Sequence, residues 1–304
     1  MRSGPSRDIA EFEIDDRVAV GQNVDGETTL RLSAPGAELV LSLNGGHIQS
    51  CRIGGGSDDL LWMSTERPVD PAKPRRGGIP VCWPWFGAHQ DDPALPSHGT
   101  ARTSAFGVTD TGADAEWTWA MLSLLDRSRL PAAYAGADLQ LHVRVGPRLI
   151  VTLQTTNSGA QTIPLTQALH TYFNIADIAD VAIDGLAGCP YADALDGLAI
   201  RSHDGPVNFA GEVDRIYNTQ GREITLCDFG LSRTIRLASK GSLSSVVWNP
   251  WVAKSERLGD MGPEGYRRMV CIETANAGAD VVQLRPGQQH RLTADLSVGP
   301  LSKA

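Results

Sequence analysis

The sequence predicts an all-β protein, a large antiparallel β-sandwich with few short helices, on three observations. Apolar and polar residues alternate with a period of two in segment after segment. Gly, Pro, Asn and Asp punctuate those segments at short intervals, and the 3.6-residue period of an amphipathic helix is scarce. A length of 304 residues suits one large sandwich, so a single domain over 1–304 is expected, with residues 1–8 fraying at the polar N-terminus. No short repeat of fixed period stands out, which disfavours a propeller or a solenoid.

In chain order, Leu39, Leu41 and Leu43 share one face of a first strand. The segment from Glu116 to Leu122 puts Trp117, Trp119 and Met121 on one side, and their mid-strand position assigns both tryptophans to the core. A short helix is expected near Asp126–Leu130. Leu139, Leu141, Val143 and Val145 then alternate with Gln140, His142 and Arg144; after Gly146-Pro147 the pattern resumes with Leu149, Val151, Leu153 and Thr155. Val281–Leu284 and Leu292–Val298 resemble these strands, and a second short helix is expected around Lys254–Leu258. Half-buried strands of this kind bury their apolar faces by stacking one sheet on another.

Composition narrows the class of function. With 41% apolar residues, 20% charged residues and a net charge of −8, the chain reads as soluble and globular, without the basic stripe of a nucleic-acid surface. A local basic pocket remains compatible with that balance, because nearby groups set a site's field. Cys51, Cys82, Cys189, Cys227 and Cys271 are odd in number and lack paired metal-ligand spacing. Cys82 and Cys271 lie in apolar runs and are expected to be buried as free thiols in a reducing compartment. Met1–Asp16 has no apolar core of a signal peptide and no run is long enough to span a bilayer, so a cytoplasmic protein without membrane association is expected. No apolar stripe beyond the core suggests a partner chain, and the expected state is a monomer.

Three segments carry chemistry. Between Arg75 and Arg102, Gly77-Gly78 permits positive φ or close backbone approach, Trp83, Trp85 and Phe86 could wall a concave site, and Arg76 and Arg102 could hold an anion in it. His170 ends an apolar strand and is followed by Tyr172 and Phe173. Glu273 follows four residues, Met269–Ile272, that should be buried; a carboxylate there is partly desolvated and tuned toward general-base work, with His170 its natural partner. Alone, His170 also reads as a core or rim histidine satisfied by backbone, and Glu273 as a solvated strand terminus or a charge partner for Arg267 or Arg268. Asp214 is expected in a polar turn just ahead of the aromatic Tyr217, where it could accept from sugar hydroxyls or pair with Arg215. Trp248 is packing or a pocket wall, and Asp193, Asp196 and Asp260 are assigned to turns.

Six blocks in order resemble the hexose-6-phosphate mutarotases, also called glucose-6-phosphate 1-epimerases, a branch of the aldose 1-epimerase superfamily. They are Arg76-Gly-Gly-Ile-Pro with Trp83-Pro84 and Phe86-Gly87; His98-Gly99 with Ala101-Arg102; Leu169-His170-Thr171-Tyr172-Phe173; Asp214-Arg215-Ile216-Tyr217; Trp248-Asn249-Pro250-Trp251; and Cys271-Ile272-Glu273. The resemblance spans about Leu39 to Val298 and implies a galactose-mutarotase-like sandwich. It implies His170 as general acid and Glu273 as general base, Arg76 and Arg102 on the phosphate and nearby hydroxyls, and Asp214 and His98 on the sugar. Where the family carries Gln before the His-Gly pair this chain has Ser97, whose shorter hydroxyl leaves room for a bridging water.

The implied reaction opens a cyclic hemiacetal and closes it on the other carbonyl face, so one group removes the anomeric hydroxyl proton while another protonates the ring oxygen. Mutual proximity is expected to favour ionised Glu273 and protonated His170. The implied partner is a small sugar phosphate, with no cofactor and no metal. Two alternatives stay open: a mutarotase of unphosphorylated aldoses, and a non-catalytic sugar-phosphate-binding or regulatory module.

Overall fold

The structure, a computed structural model, describes residues 8–68 and 73–301. Two eight-stranded sheets pack face to face. The front sheet runs in the order 199–201, 191–193, 213–218, 244–249, 269–276, 167–169 and 81–82, with the short strand Tyr172–Asn174 also paired to Met269–Asn276. The back sheet runs 181–184, 224–228, 233–240, 289–300, 149–157, 137–145, 118–124 and 106–113. A four-stranded meander, 18–52, adds Leu30, Leu32, Leu39 and Leu41 to the same core. Every pairing between these strands is antiparallel, as the period-two pattern predicts.

Alternation decides which side chains enter the core. Leu139, Leu141, Val143 and Val145 are buried against Leu149, Val151 and Leu153 of the next strand, where Leu141 faces Leu153 and Val143 faces Val151. The front sheet answers with Val247, Val270, Ile272 and Leu169. Trp83, fully buried, donates its indole N–H to Thr155 Oγ1 of the back sheet at 2.9 Å and so links the two layers.

Several sequence-based assignments change. The strand after the Glu116 turn is Thr118–Leu124, and its buried face carries Thr118, Ala120, Leu122 and Leu124. Trp117 and Trp119 therefore have the opposite parity and lie half-buried on the outer face, where the Arg144 guanidinium stacks 4.7 Å from the Trp117 ring. Asp126–Leu130 forms no helix: Asp126 caps a turn by accepting from Ser128 N–H, and a short 3-10 segment follows at Ala132–Tyr134. The helix expected at Lys254–Leu258 is present, about one turn longer, as Trp251–Leu258, closed by Gly259 at φ 69°. Of the N-terminal stretch expected to fray, residues 1–7 lie outside the described residues, whereas Asp8 caps a 3-10 turn through Ala10 N–H. All five cysteines are free, and Cys82 and Cys271 are buried as expected.

Candidate active site

The front sheet's second face, turned away from the core, is floored by Ala168, Tyr172, Val246, Trp248, Cys271 and Ala275. Over this floor opens a cavity of about 860 Å³, the size of a small-molecule site. The strand Met269–Asn276 is buried along its whole length, so period two divides it between two sides: Val270 and Ile272 enter the core, while Cys271 packs in the floor and Glu273 lines the cavity. Strand register brings His170 to Glu273. Ala168 pairs with Ala275, Leu169 with Thr274 and Tyr172 with Cys271, so position 170, in the gap between two short strands, falls opposite position 273.

The side chains meet there. His170 Nε2 lies 3.3 Å from Glu273 Oε1, while His170 Nδ1 and Glu273 Oε2 are buried without a protein partner. Burial pushes the Glu273 carboxyl well above its ordinary range, and the nearby Asp214 pushes in the same direction. Burial likewise holds His170 well below its ordinary range, reinforced by His98, Arg102 and Arg76. The expectation that proximity favours both charges is thus reversed, because the desolvation of each buried group outweighs the attraction of its partner. A neutral carboxyl beside a neutral imidazole holds the same number of protons as the carboxylate–imidazolium pair, so one proton shift interconverts them. Neither Arg267 nor Arg268 pairs with Glu273: Arg267 binds Asp177, and Arg268 donates to Ala176 O.

The Arg75–Arg102 segment forms the wall. Gly78, at φ 63°, passes so close to the neighbouring strand that a Cβ would fall 2.1 Å from Ile48 O, which explains the glycine pair. Of the three aromatics, only Phe86 lines the cavity; Trp83 and Trp85 are buried behind it, Trp85 donating to Pro96 O. His98 adopts φ 65°, and its Nδ1 accepts from Gly87 N–H at 3.3 Å. Because that N–H can only donate, the His98 proton resides on Nε2. Burial first, then Arg102 and Arg76, pushes its pKa down to about 3, so His98 is a neutral hydrogen-bond donor at physiological pH.

Arg76 donates Nε–H to Asp260 at 2.7 Å and Nη1–H to Tyr172 Oη at 3.3 Å. Asp260, assigned to a turn from sequence, is therefore a site residue whose partner lies 184 positions away, and no local pattern announces such a pair. Asp214, expected in a turn, lies in the strand Val213–Asn218 opposite Trp248. It pairs with Lys254 at 3.3 Å, and Lys254 also reaches Glu212 at 2.8 Å. Arg215 points to the other side of its strand, toward Tyr217 Oη and Asp193, so it leaves Asp214 to Lys254. The helix bearing Lys254 is tied to the sheet by buried Asn249, which accepts from Trp251 N–H and donates to Met269 O. Arg102 donates to Ser97 O at 2.6 Å; the Ser97 backbone thereby orients that arginine. The cavity lining brings together all seven residues singled out from sequence, His170, Glu273, Arg76, Ser97, His98, Arg102 and Asp214, and adds Tyr172, Trp248, Lys254, Asp260, Lys73 and Arg129.

The family model described as aldose 1-epimerase matches residues 28–297, a span that contains the whole cavity. A protein of Escherichia coli named "Putative glucose-6-phosphate 1-epimerase" is 34% identical over 246 residues, 80% of this chain and 81% of the relative. One of the same name from Cenchrus ciliaris is 31% identical over 271 residues, 86% of this chain and 81% of the relative. Among solved structures, a "putative mutarotase" of Salmonella typhimurium superposes with a TM-score of 0.85 at 28% identity, over 95% of both chains. A galactose mutarotase-like protein of Clostridium acetobutylicum shares the fold with a TM-score of 0.74 at 13% identity, over 94% of this chain and 100% of that one. Matched along nearly its whole length, this chain belongs to the aldose 1-epimerase family.

Proposed function

We propose that the cavity interconverts the α and β anomers of an aldohexose 6-phosphate, glucose 6-phosphate first among them, with Glu273 as general base and His170 as general acid. The observation that carries the reading is the His170–Glu273 pair, 3.3 Å apart and buried in the floor of a cavity with arginines on its wall. Glu273 takes the proton of the anomeric hydroxyl, C1–O1 becomes a carbonyl, and the C1–O5 bond breaks with its electron pair going to O5, which takes the proton of His170. Rotation about C1–C2 presents the other carbonyl face. O5 then re-attacks C1, returning its proton to His170, and O1 recovers a proton from Glu273. Protons and electrons balance without a further reactant.

The surrounding groups supply orientation and field. Asp214, held by Lys254, accepts from sugar hydroxyls; His98 donates from Nε2; Arg76, Arg102 and Ser97 contact the phosphate and nearby oxygens. A phosphate dianion beside Arg102 and Arg76 offsets the positive field that depresses His170, which favours the imidazolium the acid step needs. The name borne by the relatives from Escherichia coli and Cenchrus ciliaris supports the phosphorylated substrate.

The test is anomer exchange measured by NMR, with glucose and glucose 6-phosphate side by side. The expected result is faster exchange of the phosphorylated sugar, lost in His170→Ala. Full activity in that variant would sink the acid–base assignment. Tight sugar-phosphate binding without accelerated exchange would instead point to a silent binding module.

A further inference from the structure

Six cations line the cavity, and their partners divide them into two sets. Arg75 pairs with Asp25, Arg76 with Asp260, and Lys254 with Glu212 and Asp214. Lys73, Arg102 and Arg129 have no carboxylate partner among the described residues. The two arginines of this second set are positioned by neutral oxygens. Arg102 donates to Ser97 O at 2.6 Å, and Arg129 Nη1 donates to Thr103 O at 2.9 Å and to Thr103 Oγ1 at 3.0 Å. A carbonyl orients a guanidinium without cancelling its charge, whereas a carboxylate does both.

Arg129, from the loop between strands 118–124 and 137–145, is thereby pinned onto the 3-10 turn Ala101–Thr103 that carries Arg102. Its Nε and Nη2 keep no protein partner among the described residues. In a chain of net charge −8, Arg129 held against the turn that carries Arg102 gathers two guanidinium charges that no carboxylate offsets, and Lys73 adds a third cation to the same lining. The carboxylates of the lining are engaged elsewhere, Asp260 with Arg76, Asp214 with Lys254 and Glu273 with His170.

We propose that Arg129 and Lys73 complete, with Arg102, the subsite that grips the anionic end of the substrate, and that Arg129 is a specificity-determining residue for a phosphorylated over a neutral sugar. The inference rests on the sugar-phosphate reading above and names the side chains that enforce it. Arg76, whose charge is offset in part by Asp260, holds the substrate from the wall, and the uncompensated charge comes from Arg102, Arg129 and Lys73.

The experiment compares kcat/KM for glucose 6-phosphate and glucose in the wild type, Arg129→Gln, Lys73→Gln and the double variant, with inorganic phosphate as a competitive probe. Both side chains are exposed, so the variants are expected to fold. The preference for the phosphorylated sugar should fall about fivefold in each single variant and about tenfold or more in the double, carried by KM, with the inhibition constant of phosphate rising in parallel. Arg129→Lys, which keeps the charge and loses the guanidinium, should recover part of the preference, as a merely structural role would not. A wild type that prefers glucose 6-phosphate and a double variant with the same preference and phosphate affinity would overturn this subsite while leaving the functional reading in place. A wild type with no such preference would overturn both.

Discussion

Replacing Glu273 by Gln should make the protein more stable and far less active, and the stability gain should depend on pH in a direction the structure fixes. Glu273 is 1% exposed, its Oε2 has no protein partner, and burial together with Asp214 raises its pKa well above the ordinary 4.5. Between 4.5 and the raised value the folded state binds more protons at this site than the unfolded state, so wild-type stability falls as pH rises through that window. Every tenfold difference in proton affinity between the two states is worth about 1.4 kcal/mol, and the unpartnered oxygen by itself costs about 1–3 kcal/mol. Gln has nearly the same shape and no titration. His170, whose folded pKa is depressed, makes stability fall as pH drops below 6.5 in both proteins, so the titration that belongs to Glu273 is read above 6.5. At roughly 2–4 °C per kcal/mol for a chain of this size class, Glu273→Gln should melt several degrees above wild type at pH 8, with the gap closing toward pH 5. Anomer exchange should slow by about 10²–10⁴-fold, the usual contribution of a positioned base. Scanning calorimetry from pH 5 to 8.5 and NMR exchange read the two effects. A variant that melts below wild type, or a gap independent of pH, would refute the picture of Glu273 as a strained buried acid.

Two further outcomes follow from the wall and the rim. Gly78→Ala adds a Cβ at φ 63° only 2.1 Å from Ile48 O, so left-handed strain and overpacking together should cost roughly 3 kcal/mol, and an unshifted denaturation midpoint would contradict that close approach. Lys254→Met removes the cation that lowers the pKa of Asp214 against burial and Glu212. Asp214 then protonates at higher pH, so the acid limb of kcat/KM should move upward and KM should rise; an unmoved limb would show that Asp214 does not depend on Lys254 for its charge.

Much of the molecule was legible because period two is a local property. The alternation at Leu139–Val145 and Leu149–Thr155 named the core faces of two adjacent strands, and both form as read. The same rule misassigned Trp117 and Trp119, since parity says which residues share a face but not which face is inside; Thr118 and Ala120 took the core, and the tryptophans found Arg144 outside. Glu273 was legible as a carboxylate following an apolar run, and His170 as a histidine ending one. Trp83 and Trp85 misled as candidate walls because an aromatic run carries no mark of which rings face solvent.

The all-β class, the identity of the acid–base candidates and the glycine pair that lets the wall close are local properties of the chain. Those follow from periodicity, residue chemistry and the φ that only glycine adopts at low cost. Which side chains meet depends on the packing of distant segments. Asp260 neutralises Arg76 across 184 positions, Lys254 holds Asp214 from a helix tied down by Asn249, and Arg129 is pinned beside Arg102 by a single threonine. The direction in which His170 and Glu273 are displaced from their ordinary pKa values belongs to that second category as well, because desolvation depends on every atom packed around the pair, and sequence spacing records none of them.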